Sequence, residues 1–504
     1  MKQIYFYAIL LLSGIANSQT THITLVKDIN PGTKPSSPTS LFAFNGKLYF
    51  AADDSSGSNT GETDVGNELW VSDGTETETK LVKDLDGTDA DSNPGNFFIL
   101  NNALYFQAYD AGTASYNMYT TDGTEDGTNS FNNNFQAGIP TIVGDKAYMR
   151  SYVWNADFTD LTGTYYEFNG ETFKELPDSG EGSVNVGYNA GYIALDDNSI
   201  LFNTEYTIAG ETPLGPELYL YNITDQTYTL IKNFGDDGTV VDGELEYLSM
   251  SYLTKLGDAV YFSFDGKLWI TDGTTDGTMQ VSTTAAIGDV RDLYVWEDKL
   301  FFEGDLEPEN DTTVFDQLYV YDPDADSLTD ITGPYNIERD HNPMHFAAPG
   351  DGYLYYAGRS SSDLHNLFKT DGVTIETVES GLIDNVDDIV VLNNKLYFEA
   401  DFKIDFFSIG RELFSVDPSS ILSASEFELD SSLSIYPNPS TNYFNVQSTL
   451  EGEINYTIYN VTGKKVLKGT IENEVINHNL TSGLYLLKLD NGFNSISKKI
   501  VVKN

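Results

Sequence analysis

The 504-residue sequence contains no cysteine, and this absence removes two kinds of chemistry. The chain cannot form disulfide bonds, and it cannot use a thiol nucleophile. Its stability must therefore come from a buried core, to which bound metal ions could add. Long apolar runs are also scarce. Beyond the N-terminus no stretch could span a membrane as a helix, so we expect no transmembrane segment in the mature chain.

Positive charge is scarce as well. Lys and Arg number 27 against 77 Asp and Glu, which gives a formal net charge of −50. Such a chain repels phosphate backbones and anionic lipids, so nucleic acid is not an expected partner. Amphipathic helical runs are hard to find, whereas Tyr, Phe and Gly are abundant, which favours strands and tight turns. The length predicts more than one domain.

Catalytic signatures are missing from the sequence. It contains no GxSxG, no HExxH and no phosphate-cradling glycine loop. Carboxylates are so numerous that no glycosidase pair can be singled out. An enzyme is therefore less expected than a protein that binds without catalysis.

The N-terminus is typical of a secretory signal peptide over residues 1–18. Lys2 is the basic end, Ile4–Ile15 is the apolar segment, and Ala16-Asn17-Ser18 is a small-residue cleavage site. We expect a signal peptidase to cut before Gln19. No cysteine follows, which excludes a lipoprotein anchor. A first transmembrane helix is the alternative, but the apolar run is short.

The composition changes near the C-terminus. Residues 432–504 carry more basic than acidic side chains, unlike the acidic remainder, and this shift predicts a domain boundary. A linker over residues 418–432 would separate residues 19–417 from a C-terminal domain at 433–504. Alternating apolar residues between turn signals predict a small Ig-like β-sandwich there.

This C-terminal stretch resembles the type A sorting domain of the type IX secretion system of Bacteroidota. The matching residues are Tyr436-Pro437-Asn438-Pro439, the segment Ile458–Val466 with Gly463, Gly483-Leu484-Tyr485, and Lys498-Lys499. The resemblance implies transit through the periplasm, export by the type IX secretion machinery, and removal of the domain by a sortase-like peptidase. The product would be secreted or attached to the outer cell surface. An ordinary sandwich that serves as a binding module is the alternative.

An apolar triplet recurs eight times between these two ends, at spacings of roughly 40 to 60 residues. Each copy follows turn residues such as Asn45-Gly46, which accept the positive φ of a two-residue hairpin. The copies are Leu48-Tyr49-Phe50, Leu104-Tyr105-Phe106, Ala147-Tyr148-Met149, Ile200-Leu201-Phe202, Val260-Tyr261-Phe262, Leu300-Phe301-Phe302, Leu354-Tyr355-Tyr356 and Leu396-Tyr397-Phe398.

A second motif follows each triplet, and it reads Glu-Leu-Trp and then Asp-Gly in the first repeat. Trp70 is expected to pack between sheets, and Asp73-Gly74 to form a turn between the third and fourth strands. Four strands in each repeat are typical of a β-propeller blade. The chain resembles bacterial ELWxxDGT-repeat proteins in Glu68–Thr75 and in Lys267–Thr274. The resemblance implies an architecture and says little about activity.

The eighth repeat lacks its fourth strand. Ile23–Asp28 matches the fourth strand of the first repeat, so we expect it to complete the last blade and close the ring. The predicted fold is thus all-β, with an eight-bladed propeller over residues 19–417. Seven blades are the alternative, because the third repeat, Ile139–Leu176, is degenerate.

Function is expected on the variable loops of one propeller face. Alternating carboxylates predict a calcium site, since Ca²⁺ takes six to eight oxygen ligands from flexible loops. Those carboxylates are Asp84, Asp86, Asp89 and Asp91; a solvated turn is the alternative.

Aromatic residues that fall outside the repeat pattern predict ligand binding, because exposed rings stack on sugars or anchor proteins. They are Trp154, Phe406 and Phe407, with packing on a neighbouring loop as the alternative. His341 and His345, beside Arg339 and Asp340, could form a metal or acid–base cluster, although equivalent links in other repeats also carry proline.

Together these features predict a secreted or surface-attached binding protein whose propeller face binds an extracellular glycan or protein. A polysaccharide-degrading hydrolase or lyase and a structural cell-surface component are the alternatives.

Overall fold

A computed structural model describes most of the chain. The described residues are 23–31, 34–54, 65–112, 114–131, 135–154, 161–177, 191–206, 214–234, 239–241, 244–246, 250–306, 316–332, 341–359, 364–378, 383–404, 407–419, 433–448, 454–460, 464–471, 475–490 and 495–503. The predicted signal peptide and residues 420–432 of the predicted linker lie outside them. Within the described residues, no helix has the length and apolarity that a membrane crossing requires.

The chain divides into two compact units, Thr21–Pro418 and Ser419–Asn504. The larger unit is all-β, and its described strands form one separate hairpin and eight antiparallel sheets of four or five strands, which we number in chain order. β1 (Ile23–Lys27) belongs to sheet 8. Sheets 1 to 4 contain β2 (Thr39–Phe44), β3 (Lys47–Asp53), β4 (Asn67–Ser72) and β5 (Lys80–Lys83); β6 (Gly95–Leu100), β7 (Ala103–Asp110), β8 (Ser115–Thr121) and β9 (Asn129–Ser130); β10 (Gln136–Ala137), β11 (Thr141–Val143), β12 (Lys146–Trp154), β13 (Leu161–Phe168) and β14 (Phe173–Glu175); and β15 (Tyr192–Asp196), β16 (Ser199–Tyr206), β17 (Leu214–Asn222) and β18 (Thr227–Asn233).

A separate hairpin, β19 (Thr239–Val241) with β20 (Glu244–Glu246), precedes sheet 5, and a 3-10 helix, Ser282–Thr284, precedes sheet 6. Sheets 5 to 8 contain β21 (Met250–Leu256), β22 (Ala259–Phe264), β23 (Lys267–Thr271) and β24 (Met279–Gln280); β25 (Ile287–Trp296), β26 (Lys299–Leu306), β27 (Gln317–Asp322) and β28 (Ser327–Asp330); β29 (Met344–Ala347), β30 (Leu354–Gly358), β31 (Asn366–Thr370) and β32 (Ile375–Thr377); and β33 (Ile383–Leu392), β34 (Lys395–Ile404), β35 (Phe407–Val416) and β1.

Consecutive sheets contact each other in chain order, and sheet 8 contacts sheet 1 through β33 and β2. The expected pairing of the N-terminal segment with the last repeat is confirmed, because β1 pairs with β35 in the register Ile23↔Val416 and Leu25↔Phe414. The core lies between sheets: Trp70 is 6% exposed and packs with residues of sheets 1 and 8, including Leu413. The sheets thus form a propeller-like ring of contacts.

The short hairpins behave as the turn residues predict. Asn45 and Gly46 both have positive φ, at 51° and 72°, and Asn101 and Asn102 repeat this geometry at 50° and 61°. Two consecutive residues in the left-handed region define the turn whose twist matches antiparallel strands. Each apolar triplet consequently lies in the second strand of its sheet.

The Asp-Gly-Thr turn is held by a side-chain network. Asp73 Oδ1 accepts hydrogen bonds from the backbone N–H of Thr75, at 2.9 Å, and from its hydroxyl, at 2.6 Å. The hydroxyls of Ser72 and Thr79 lie 2.6 Å apart across the same turn. The equivalent bonds recur in sheets 2 and 5. The bonds from Thr75 hold the pKa of Asp73 below its usual value. This part of the motif therefore has a structural role.

The smaller unit consists of two packed sheets. Its strands are β36 (Leu433–Tyr436), β37 (Tyr443–Ser448), β38 (Asn455–Asn460), β39 (Lys465–Thr470), β40 (Val475–Asn477), β41 (Gly483–Asp490) and β42 (Ser495–Val502). One sheet has the order β36-β37-β40 and the other β39-β38-β41-β42. Phe444 and Ile476 of the first sheet share a buried core with Ile458, Leu487 and Ile500 of the second.

Candidate functional site

A polar side chain follows the apolar triplet in several second strands, where strand patterning would favour an apolar one. In sheets 2, 3, 4, 6 and 8 these residues are almost fully buried: Gln107, Arg150, Asn203, Glu303 and Glu399. Burial of a polar group is costly unless it is paired, so each such position marks a local network. The two glutamates, in sheets 6 and 8, each lie within 4 Å of an arginine guanidinium.

Glu303 belongs to a carboxyl group cluster in sheet 6. Burial, followed by a hydrogen bond to Asp316 and the charges of Asp316 and Asp292, raises the pKa of Glu303 to about 9. Burial also raises the pKa of Asp292, although His345, a hydrogen bond with Glu303 and Arg291 oppose the rise. The guanidinium of Arg291 lies 3.9 Å from Glu303 Oε1 and 3.1 Å from Asp289. Burial and the neighbouring carboxylates therefore favour the protonated form of Glu303.

His345 connects sheet 7 with sheets 6 and 8. Its Nε2 lies 2.6 Å from Asp387 Oδ1, and both side chains are 38% exposed. Burial acts to lower the pKa of His345, but the hydrogen bond and charge of Asp387, with the charges of Asp388 and Asp292, outweigh it and raise the pKa. The carboxylates of two neighbouring sheets thus favour the charged form of the imidazole.

Glu399 occupies in sheet 8 the position that Glu303 has in sheet 6. It accepts a hydrogen bond from Arg411 Nη1 at 2.7 Å, and Arg411 also donates to the Asn385 carbonyl. Burial raises the pKa of Glu399 to about 7, against the opposing charge of Arg411. Asp388 Oδ2 accepts from the backbone N–H of Leu41 at 2.7 Å, which ties this sheet to sheet 1.

These residues form what we call the three-sheet cluster: Arg291, Asp292, Glu303, His345, Asp387, Asp388, Glu399 and Arg411. Asp292, His345 and Asp388 hold matching positions in the bulged first strands of their sheets, each with φ near +50°. The same bulge recurs with positive φ at Ser40, Asn96 and Tyr252 of sheets 1, 2 and 5, so the backbone geometry belongs to the repeat, and it is the charged side chains that distinguish sheets 6 to 8. The half-exposed side chains of this cluster include both positively and negatively charged groups. They can therefore donate hydrogen bonds to, and accept them from, the hydroxyl and amide groups of a polar ligand.

Most of this cluster was missed from the sequence. His345 was singled out there, but its expected partners Arg339 and Asp340 lie outside the described residues. The sequence contained one signal for the cluster: a glutamate directly follows two of the apolar triplets, and these glutamates are Glu303 and Glu399. His341 has a packing role: it is buried, its Nδ1 lies 2.6 Å from the Arg359 carbonyl, and burial lowers its pKa to about 4.

The structure brings together two of the four predicted calcium ligands. Carboxylate oxygens of Asp84, Asp86 and the buried Glu68 all lie within 4.8 Å of one another. Asp91 lies apart and accepts a hydrogen bond from the backbone N–H of Asn67 at 2.9 Å. Asp89 is exposed. Asp84 and Asp86 are therefore brought together with a residue that sequence reasoning did not include.

The predicted aromatic ligand-binding residues are only partly described. Trp154 does not lie in a loop, because its backbone ends β12 opposite Leu161. Phe406 lies outside the described residues, and Phe407 begins β35 opposite Ile404. The role of all three in ligand binding stays a prediction. Aromatic rings in the described sheets mostly pack between sheets instead, as Phe97 does on Phe106 at 5.4 Å.

The predicted sorting motif lies at the edge of the smaller unit. Tyr436-Pro437 and Asn438-Pro439 are both cis peptides. Asn438 Oδ1 accepts a hydrogen bond from the backbone N–H of Val501 at 2.7 Å, which joins the motif to β42. Tyr485 is buried and donates to the Thr481 carbonyl.

The remaining sorting-motif residues are the glycines and the two lysines. Gly483 begins β41, and Gly463 lies outside the described residues. Lys498 and Lys499 lie in β42 opposite Leu487 and Leu486.

Residues 434–503 match a family described as "Secretion system C-terminal sorting domain". The expected sorting domain of the type IX secretion system is thereby confirmed for this unit, and the chain is a cargo handled by that machinery for secretion or display on the cell surface. No curated protein matches the chain.

Solved structures give weak similarities. The β-propeller domain of the Trilobed protease from Pyrococcus furiosus matches with 10% identity and a TM-score of 0.37, over 76% of this chain and 94% of that chain. A puromycin hydrolase matches with 10% identity and a TM-score of 0.43, over 75% and 60%. Pyrococcus horikoshii acylaminoacyl peptidase matches with 11% identity and a TM-score of 0.41, over 73% and 58%. At these scores the similarities carry no information about activity.

Proposed function

We propose that this chain is a binding protein without catalytic activity, exported across the outer membrane of a Bacteroidota-type bacterium. Residues 1–18 would direct it to the periplasm, and the sorting domain, an Ig-like sandwich at 433–504, would direct its final export. Residues 19–417 would form a closed eight-bladed β-propeller of the ELWxxDGT-repeat type. The contacts between consecutive sheets and the pairing of β1 with β35 support the closed ring.

The three-sheet cluster is the binding site in this proposal. The observation that carries it is that three consecutive sheets place charged side chains, those of Asp292, His345 and Asp388, at a bulge where sheets 1, 2 and 5 have the uncharged Ser40, Asn96 and Tyr252. Sugars bind through hydroxyls that pair with carboxylates, guanidinium groups and imidazoles, so an extracellular glycan is the favoured ligand and a protein is the alternative. Trp154, Phe406 and Phe407 would add stacking surfaces for the ligand.

One observation favours a second candidate, a polysaccharide-degrading hydrolase or lyase. Asp292 and Glu303 are a hydrogen-bonded carboxyl pair in which both pKa values are raised, and a protonated carboxyl can act as a general acid. However, Glu303 is only 1% exposed, which keeps substrate away from its proton. Binding without turnover is therefore the better-supported function.

The test uses the purified full chain in affinity gels cast with a panel of polysaccharides, with calcium and with chelator. Asp388→Asn and His345→Gln should abolish retardation, because each removes a group of the cluster. Glu125→Gln, on an exposed turn of sheet 2, is the matched control and should migrate as the wild type does. Reducing ends are assayed in the same samples.

Each outcome decides between candidates. Retardation that the two cluster variants lose, without new reducing ends, supports the binding protein. New reducing ends would instead establish an enzyme. Absence of retardation in every gel would reject the glycan ligand and favour a protein partner or a structural cell-surface role.

A further inference from the structure

The link between sheets 1 and 2 contains a group of three carboxylates. Glu68 is the first residue of the Glu-Leu-Trp motif in β4, and Asp84 and Asp86 follow β5. One carboxylate oxygen from each lies within 4.8 Å of the other two. Three such groups repel each other unless a cation or protons compensate them.

Two carboxylate oxygens of this group lack a partner among the described residues. Glu68 is fully buried, and its Oε2 accepts from the backbone N–H of Leu85 at 2.9 Å. The Ser92 side chain also lies near the carboxylate, but Oε1 accepts no hydrogen bond of normal geometry. Asp86 Oδ1 accepts from the N–H and hydroxyl of Thr88, whereas its buried Oδ2 accepts none. A buried oxygen without a donor is costly and indicates a missing ligand.

Sheet 8 provides an internal comparison, because Glu412 starts the equivalent motif there. The protein satisfies both of its oxygens: Oε1 accepts from the N–H of Ser36 at 3.0 Å, and Oε2 from the N–H of Ile29 at 3.1 Å. The link residue that matches Asp86 is Asn30, which carries no charge. Thus the repeat can satisfy this glutamate by itself, and of these two copies the one in sheet 1 adds a carboxylate at residue 86 and leaves an oxygen of its glutamate open.

We propose that Glu68, Asp84 and Asp86 bind a divalent cation, and that Ca²⁺ is the ion. Ca²⁺ prefers carboxylate oxygens, accepts irregular geometry, and completes its shell with water and carbonyl groups. Neither thiol nor imidazole takes part, which disfavours zinc. The ion fixes the link between the first two sheets to β4. This site is separate from the three-sheet cluster and does not depend on the ligand proposed there.

Calcium titration of the chelator-treated full chain by calorimetry tests the proposal. The titration should reach about 10 mM, since extracellular modules bind with Kd values of about 10⁻⁴ to 10⁻³ M. Asp86→Asn copies the residue of sheet 8 and should weaken binding at least about tenfold, because it removes one charged ligand. The matched control is Asp89→Asn, an exposed residue of the same link, whose Kd should stay within about twofold of the wild type.

Thermal unfolding of the same proteins separates lost binding from lost folding. Without calcium, Asp86→Asn should unfold at a temperature no lower than the wild type, because it relieves repulsion. With calcium, the wild type and Asp89→Asn should gain stability and Asp86→Asn should not. The proposal is overturned if the wild type shows no saturable binding, if Asp86→Asn binds as the wild type does, or if Asp89→Asn alone loses the ion.

Discussion

In sheets 1 and 2 the glycine of the Asp-Gly turn has a second role, since it faces a tyrosine of the preceding sheet. Gly74 of sheet 1 has φ +92°, and a Cβ added to it would overlap the hydroxyl of Tyr397 in sheet 8. Gly123 of sheet 2 repeats this arrangement against Tyr49 of sheet 1, where a Cβ would lie 2.7 Å from the hydroxyl. The motif therefore sets the distance between sheets as well as the turn.

Gly74→Ala should accordingly cost more than the backbone strain alone. Gly46→Ala is the matched control, because Gly46 also has positive φ but faces open space. We expect about 1 kcal/mol of destabilisation for Gly46→Ala and about 2 to 4 kcal/mol for Gly74→Ala, where overpacking against Tyr397 adds to the strain. Urea unfolding of both variants measures the difference. Equal losses would show that the close approach of Tyr397 has no energetic consequence.

The ion pair of His345 and Asp387 predicts a pH-dependent contribution to stability. The folded-state pKa of His345 is raised, so its stabilising effect is complete below about pH 6.5 and disappears as pH rises through the folded pKa. Since both side chains are partly exposed, we expect Asp387→Asn to cost about 0.5 to 1 kcal/mol at pH 6 and less at pH 8.5.

Nuclear magnetic resonance of the imidazoles measures the same effect directly, since the chain has only 5 histidines. The His345 signal should titrate above pH 6.5 in the wild type and at lower pH in Asp387→Asn. His345→Gln identifies the signal. An unchanged titration in Asp387→Asn would contradict the ion pair.

At the scale of elements, the closing strand β1 is the longest-range contact of the ring. Thr24 lies opposite Ser415 in the antiparallel pair of β1 and β35. Directly opposed residues have the Cα separation that a disulfide needs. Because the chain has no cysteine of its own, Thr24→Cys with Ser415→Cys should form one unambiguous disulfide. It should add about 2 to 4 kcal/mol to the free energy of unfolding.

Unfolding with and without reductant measures this gain, and the two single variants are the controls. If the pair stays reduced under oxidising conditions, β1 does not occupy this register. If it forms but adds no stability, opening of the ring at β1 is not part of the unfolding transition.

Local sequence patterns predicted the strands, because their signals are periodic and close in sequence. Leu48-Tyr49-Phe50 and its repeats, the Asn45-Gly46 turn and the pairing of Ile23–Asp28 all follow from spacing and turn chemistry. The three-sheet cluster could not be found this way. Asp292 and Asp388 are nearly 100 positions apart, and their meeting depends on bulges in first strands that no turn residue announces.

Glu68 is another residue whose place in a site the sequence did not reveal. The repeat made it look purely structural, and in sheet 8 the equivalent Glu412 is structural. Its second role depends on one unmatched residue, Asp86, in a link that sequence reasoning treated as a separate acidic run. Differences between copies of a repeat carry more information about sites than the repeat itself does.

For the whole molecule, the buried glutamates determine how stability depends on pH. In the folded state Glu303, Glu399 and Glu412 have pKa values raised by burial to about 9, 7 and 8. An unfolded glutamate titrates near pH 4.3. Between these limits the folded chain holds protons that the unfolded chain has lost. The free energy of unfolding must therefore fall as pH rises through this range.

We expect the larger unit to be more stable at pH 5 than at pH 8 by at least about 3 kcal/mol, measured by urea unfolding. Glu399→Gln should reduce this slope, because an amide does not titrate. Self-repulsion at a net charge of −50 would also favour low pH, so Glu125→Gln is the control: it removes one exposed charge and should leave the slope unchanged. A stability that stayed constant or rose from pH 5 to pH 8 would mean that these glutamates are ionised in the folded protein, with cations or water compensating them.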